Sequence, residues 1–466
     1  MPGASEFKLA HYHSTSRKTN NKGSPSPLTS VQSVAYVPRT TVPSPPLQLC
    51  VKLNAEVRSN PVLGAPYFDF AGHTNVRAYC MSNVLYSDHG DDHTAALLDV
   101  GVQKLLPSPP LAPPAASRPV IGQSAFVIRN TESNGRGMFA AEPLQAGFTI
   151  LVERPAIITP YIIANGGGLY AQTEADILHA LVGRLPAEKQ GRVLTLASCR
   201  SINECEILTD IARTNALPIT LAVPTNVPHP ELPSHRAIFL NTSRCNHSCS
   251  PNARWHWDLA TFSLTLVAVR PIAENEEITI SYLPGPYLLL PRATRDSLLR
   301  SSYNFSCRCA ACVHTKPEQS DMARAELSRP LNVATFEEWI ADQQQLFPDT
   351  LLINVHRTRM RLLEVEGLEG LCESESGGES SAVDGALPLT RYTEHLDGLA
   401  MAYGALGDIS NFRKFAWLAR ESRPMSDEGA AKVMQRWTTD VHTFPVWGWR
   451  ARPIVGTTAI KRSATA

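Results

Sequence analysis

Four cysteines in two distant places constrain this chain more than anything else in it. One closes the run Asn241–Asn252, NTSRCNHSCSPN, at Cys249. Three more fall in FSCRCAAC (Phe305–Cys312) as Cys307, Cys309 and Cys312. Three of the chain's ten cysteines within six residues is metal-ligand spacing rather than a disulfide framework. Structural zinc takes four thiolates in a tetrahedron. A metal shared by Cys249 and the CxCxxC would tie together two segments 58 residues apart. Cys245 is then the spare. The competing reading is a set of packed free thiols, since free cysteine is among the most buried residue types.

Net charge narrows the class. Lys+Arg and Asp+Glu stand at 43 each in 466 residues, so the net charge is zero. A protein that binds the phosphate backbone leaves a basic footprint, and none is present. No apolar run reaches the 18 or so residues of a membrane span. The N-terminus lacks the hydrophobic core of a secretory signal. Clustered thiols fit a reducing compartment, nucleus or cytoplasm.

Residues 1–120 read as a disordered Pro/Ser-rich tail, because SPSP, PSPP and PSPPLAPPAAS bury too little apolar surface. One island, Leu47–Val57, has strand character. Ordered chain begins near 121 with the alternating SAFVIRN and the turn NGRG, whose Gly135 and Gly137 allow close backbone approach. Residues 161–236 read as a helical insert, with EADILHALVGRL and EKQGRVLTLASC at helical period and a Pro-rich loop over Pro218–Pro233. AIFLN (Ala237–Asn241) is a strand into the central motif. WHWDLATFSLTLVAV is a hairpin with DLAT as its turn, and ITISY places Ile278, Ile280 and Tyr282 on one face. Pro291–Ser302 is a helix.

Beyond Val313 the pattern is helical through about residue 450. Thr335 and Glu338 form a capping box. Glu366–Gly385 is an acidic loop. Two helices pair around Gly407–Asp408, as in one tetratricopeptide-like hairpin or an ordinary bundle. Trp447 and Trp449 lie in the packed core or at its edge, without a chemical role.

RCNHSCSPN resembles the NHxCxPN motif of SET-domain protein-lysine methyltransferases. NGRGMFAAEPLQAG (Asn134–Gly147) resembles that family's GxG segment, ENEEITISY (Glu274–Tyr282) its GEELTxxY element, and SYNFSCRCAAC (Ser302–Cys312) its post-SET cap. The nearest type is the SET-and-MYND group, although Cys199 and Cys205 lack the CxxC pairs of a MYND finger. The resemblance spans about 122–315. It implies an α+β fold, namely a β-rich SET fold of short sheets with a pseudoknot-like core, a post-SET zinc cap at 301–315 and a C-terminal α-helical domain at 320–450. The SET domain itself would be split into 121–160 and 237–300.

The resemblance further implies S-adenosyl-L-methionine as cofactor and a protein with a target lysine as substrate. Arg136, Gly137 and Met138 would lend backbone groups to the cofactor. Asn246 and His247 would bind its amino-acid and adenine ends, and Phe305 would cover the adenine. Tyr282 and Tyr303 would line the lysine channel, with Tyr282 also touching the cofactor's methyl end. A structural zinc would take Cys249, Cys307, Cys309 and Cys312. The C-terminal helices would offer a protein-docking face, with no membrane and no nucleic-acid contact. Two departures stand out. Asn275 replaces a common Gly, and asparagine tolerates left-handed geometry. Cys245 replaces a larger apolar residue. A catalytically weak SET-fold interaction scaffold is the alternative function.

Overall fold

A computed structural model describes residues 62–68, 74–86, 93–99, 124–131, 135–160, 174–200, 207–221, 234–313, 316–330, 333–342, 346–371, 392–423 and 428–451, with single positions 102, 106 and 344. In chain order the strands of the first part are β1 (Val62–Phe68), β2 (Thr74–Leu85), β3 (His93–Asp99), β4 (Phe126–Asn130), β5 (Arg136–Ala140), β6 (Thr149–Glu153) and β7 (Ile157–Pro160). Helices α1 (Glu174–Arg184), α2 (Ala187–Leu194) and α3 (Ile207–Asn215) follow. Next come β8 (Leu217–Thr220), β9 (Ser234–Ile238), β10 (Asn246–His247), β11 (Ala253–Asp258), β12 (Ser263–Ala268) and β13 (Glu277–Ile280). The rest is helical: α4 (Arg292–Tyr303), α5 (Pro317–Ser328), α6 (Phe336–Ala341), α7 (Leu351–Glu366), α8 (Tyr392–Ala405), α9 (Ile409–Glu421) and α10 (Glu428–Thr439).

The strands form three sheets, ordered β1-β2-β3-β7-β9-β8, β10-β13-β5-β4 and β11-β12-β6. This is the α+β arrangement of short sheets and terminal helices expected above. The β11–β12 hairpin forms because its side chains alternate. Ala253, Trp255 and Trp257 face the core opposite Ala268, Leu266 and Leu264. The four-stranded sheet gathers the motif segments. Asn246 and His247 pair in parallel with Thr279 and Ile280. Ile278 pairs with Met138, and β5 pairs along its length with β4.

The expected disordered tail is corrected at β1–β3. Strand β3 runs parallel to β7, with Ala95 opposite Ile157 and Ala96 opposite Ile158, and antiparallel to β2. Its side chains alternate between two cores. Ala96 and Leu98 join the SET core, while Ala95 and Leu97 pack with the helices of the insert. TAALLD is rich in alanine and leucine, which carry little strand signal, and Pro-rich runs flank it. The Leu47–Val57 island lies outside the described residues.

The insert is helical as expected, with α1, α2 and α3 covering one face of the large sheet through Ile177, Leu178 and Leu181, Val193, and Ile211 respectively. Pro218 is corrected from loop to strand. It sits in β8 at the sheet's edge, where a missing N–H is tolerated. Strand β9 ends at Ile238 rather than running to Asn241. The backbone instead turns at Thr242–Arg244, where the Glu153 carboxylate accepts from the amides of Asn241 and Thr242 and from the Thr242 hydroxyl.

In the helical part, Thr335 and Glu338 form the expected reciprocal cap on α6. Helices α8 and α9 pair around Gly407, whose φ of 74° suits glycine, and Asp408 caps α9. Their core holds Trp339, Leu399, Phe412, Trp437 and Phe444, with Trp447 packed against it. Trp449 is exposed, at the edge rather than in the core. Glu366 is likewise not loop; it ends α7 as a buried side chain. The remainder of the acidic stretch, from 372, lies outside the described residues.

Candidate active site and metal centre

The motif Asn246–Asn252 is locked to β13 by Asn252. Its side-chain oxygen accepts from the Thr279 amide at 2.8 Å, and its amide group donates to Glu277 O at 2.8 Å and to Glu276 Oε1 at 3.1 Å. The Thr279 hydroxyl also donates to that oxygen at 3.3 Å, so all four bonding positions of this buried amide are filled. Glu276 in turn accepts from Arg270 Nη2 at 2.8 Å and from the Ala273 amide at 3.0 Å. Burial opposes its ionised form, but the Ala273 amide and the Arg270 guanidinium together hold its carboxyl below the usual range. The turn before it contains Asn275 at φ 64°, the left-handed conformation expected where a glycine is common.

Gly137 faces Asn246 and Glu277. Asn246 Nδ2 donates to Glu277 Oε1 at 2.7 Å. A Cβ on Gly137 would lie 2.5 Å from Glu277 Oε1 and 3.1 Å from Asn246 Nδ2, so a larger residue would have to displace the Glu277 carboxylate from this cradle. Strand β13 pairs with β5 only at Met138 and Phe139. Among the described residues, no strand therefore lies beside the edge of β5 at Arg136 and Gly137 that faces away from β4. Arg136 is exposed, whereas Met138 is wholly buried, with its sulfur 3.6 Å from Cys245 Sγ. Burial pushes the Cys245 thiol up, so that residue is a neutral wall.

Four rings meet beside this cradle. Strand β13 stops at Ile280, so Tyr282 lies two residues beyond the strand it was expected to close. Its ring is 5.4 Å from His247, 5.0 Å from Tyr303 and 6.3 Å edge-on from Phe305. Its hydroxyl donates to the Cys245 carbonyl at 2.8 Å. Burial first, and then Cys245, Tyr303 and Glu277, push the Tyr282 phenol up, so it stays protonated. The Tyr303 hydroxyl reaches the Tyr282 carbonyl at 3.5 Å.

His247 joins the rings to the thiols. Its Nδ1 accepts from the Tyr282 amide at 3.0 Å, which assigns the proton to Nε2. That nitrogen lies 3.4 Å from Cys249 Sγ and donates to it. Burial lowers the imidazole to about 4, so the ring is neutral.

The sulfurs of Cys249, Cys307, Cys309 and Cys312 all lie within 4.8 Å of one another. Cys312 Sγ is 3.6 Å from Cys249 Sγ, far too long for a disulfide. A tetrahedron with zinc–sulfur arms of about 2.3 Å has edges of about 3.8 Å, so the donor set and its spacing fit zinc. The amide of Cys249 donates to Cys309 Sγ at 3.3 Å, as expected around a thiolate. Among the described residues this is the one such cluster. Cys199 sits apart, 3.8 Å from Asp210 Oδ1, and Cys205 lies outside the described residues.

The structure thus brings together all twelve of the residues proposed from sequence. Sequence reasoning assigned nothing to Asn252, Glu153 or Glu277. Asn252 and Glu277 stood inside quoted motifs, and Glu153 left no signal.

This arrangement defines a SET domain, and residues 135–283 match the family model described as SET domain. Within that class the chain is similar to the SET-and-MYND type of protein-lysine methyltransferase. It is 40% identical over 85 residues to "Protein-lysine N-trimethyltransferase SMYD5" of Danio rerio, covering 18% of this chain and 20% of that protein. It is 30% identical over 132 residues to "N-lysine methyltransferase SMYD2-B" of Xenopus laevis, covering 28% and 29%. The chain therefore aligns with less than a third of these relatives' length. A solved structure, "Structure of ctPRC2 in complex with H3K27me3 and H3K27M", aligns at 14% identity and a TM-score of 0.21 over 69% of this chain and 33% of that one, a likeness too slight to bear on function. No helix among the described residues is long and apolar enough to cross a membrane.

Proposed function

We propose that this chain transfers methyl from S-adenosyl-L-methionine to a lysine side chain of a protein. The observation that carries the reading is the Tyr282 hydroxyl, whose proton is committed to the Cys245 carbonyl at 2.8 Å. Its oxygen then has only lone pairs to offer, and towards an amine N–H it acts as acceptor. That orients a lysine nitrogen without taking its proton.

The open edge of β5 at Arg136 and Gly137 suits backbone contacts to the cofactor's amino-acid end, with Met138 as the wall beneath and Asn246 beside it. His247 and Phe305, 6.1 Å apart, flank the place for adenine. Bound there, the cofactor supplies a methyl group activated by a sulfonium. The chain's share is positioning and exclusion of water. Burial of a lysine beside Tyr282, Tyr303, His247 and Phe305 disfavours its cation by desolvation, and the positive charge of the bound cofactor would push the same way, towards the neutral amine. A structural zinc on Cys249, Cys307, Cys309 and Cys312 closes this side of the site as a post-SET cap.

The partner is accordingly a protein with an accessible lysine, histone or otherwise, in nucleus or cytoplasm. The test is incubation with cofactor carrying labelled methyl and a protein extract, followed by hydrolysis. Label recovered as methyl-lysine supports the proposal. Cofactor binding without transfer to any protein makes the chain a scaffold.

A further inference from the structure

Arg295 on α4 is fully buried, and its surroundings do not explain a cation there. One Nη donates to the Leu290 carbonyl, Nε has no hydrogen-bond partner, and Asp321 stands 3.9 Å away and partly exposed. An ion in such a place costs several kcal/mol unless an opposite charge is near. The group its other Nη meets is Cys312 Sγ, at 4.0 Å. Four thiolates on one zinc carry a formal charge of minus two, buried with Cys249, Cys307 and Cys312. A second buried guanidinium, Arg324 on α5, approaches from the helical part of the chain. It donates to the Cys249 carbonyl at 3.1 Å, to Leu288 O at 2.5 Å and to Ser250 Oγ at 3.0 Å. Glu366 and Ser320 hold it in place, Glu366 Oε2 accepting from each at 2.7 Å.

We propose that Arg295, with Arg324 behind it, is a positioning residue of the metal centre, supplying the buried positive charge that keeps the four thiolates on zinc. Two guanidinium charges offset the two negative charges of the zinc–thiolate group. Glu366 and the partly exposed Asp321 each return negative charge beside their guanidinium partners, and the His247 Nε2–H and the Cys249 amide stabilise the sulfurs through hydrogen bonds that leave the formal charge unchanged. Because Arg324 comes from α5 and is braced by α7, the helical region is part of the zinc seat and not an appendage to it. The inference rests on the reading of the cysteines as a zinc site and is independent of methyl transfer.

The experiment uses the full chain and measures zinc content, then the rate of zinc release to a chromophoric chelator under native conditions. Arg295→Lys and Arg295→Gln both remove the guanidinium fork, but only lysine keeps the charge. Residues that support metal ligands from behind are worth about 10- to 100-fold in metal affinity. The glutamine variant should therefore release zinc at least about tenfold faster than wild type, with the lysine variant much closer to it. Arg324→Met/Glu366→Met removes the second charge together with its partner and should also speed release. Equal release from the lysine and glutamine variants overturns the proposal, as does release from both at the wild-type rate. Wild-type protein without zinc overturns the underlying reading of the cysteines, and is recognised before any variant is made.

Discussion

Removing residues 1–118 should destroy the fold, although their composition marks them as expendable. The deletion takes out β3, which lies between β2 and β7 and is buried on both faces. Leu97 and Leu98 are 1% and 0% exposed, and burying each stabilises the fold by about 1.5–3 kcal/mol. Ala95 and Ala96 add roughly 0.8 kcal/mol apiece, at one methyl-sized group each. Thr94 also donates to the Pro155 carbonyl, and His93 Nε2 bonds the Arg184 carbonyl at 2.8 Å. These four side chains alone contribute about 5–8 kcal/mol, comparable to the whole stability of a typical domain. Thermal melting by circular dichroism, with the full chain beside a chain starting at residue 119, reads this directly. The truncated chain should show no cooperative transition. The milder Leu98→Ala should cost about 2–5 kcal/mol and melt roughly 5–15 °C lower. A truncated protein that melts with the full chain would refute the account of the large sheet.

Cys309→Ser leaves three thiolates and removes the sulfur that accepts from the Cys249 amide; zinc per chain, by elemental analysis after dialysis, should fall well below one, and full retention contradicts the ligand set. Gly137→Ala puts a methyl 2.5 Å from Glu277 Oε1 and disturbs its bond to Asn246. Cofactor affinity by calorimetry should fall at least about tenfold, or about 1.4 kcal/mol, with zinc content unchanged; wild-type affinity would show that the cradle is not the binding site.

The site was legible in the sequence where its chemistry is local. Cys307, Cys309 and Cys312 share one short loop, so their spacing carries the geometry. The left-handed turn at Asn275 and the cap at Thr335–Glu338 depend on residues within a few positions of each other. The unread parts are long-range. Glu153 anchors a turn 88 residues away, and nothing in TILVE distinguishes it from a surface glutamate. Arg324 meets Cys249 across 75 residues from inside an unremarkable helix. Strand β3 gains its role only from the sheet around it, because alanine and leucine favour helices when read alone. The Tyr282 ring was anticipated, but its bond to the Cys245 carbonyl depends on a chain turn past the end of β13.

In the proposed reaction, Tyr282 holds a lysine amine in line with an activated methyl. Single-turnover transfer of labelled methyl to a mapped lysine, in wild type and Tyr282→Phe, tests it most directly. The variant keeps the ring contacts to His247 and Tyr303 and loses one hydroxyl, leaving the Cys245 carbonyl short of a partner at about 1–3 kcal/mol of stability. The variant should fold, bind cofactor within a few-fold of wild type, and transfer methyl about 10- to 1000-fold more slowly, or roughly 1.4–4 kcal/mol in the barrier. Transfer by the variant at the wild-type rate would contradict this role of Tyr282.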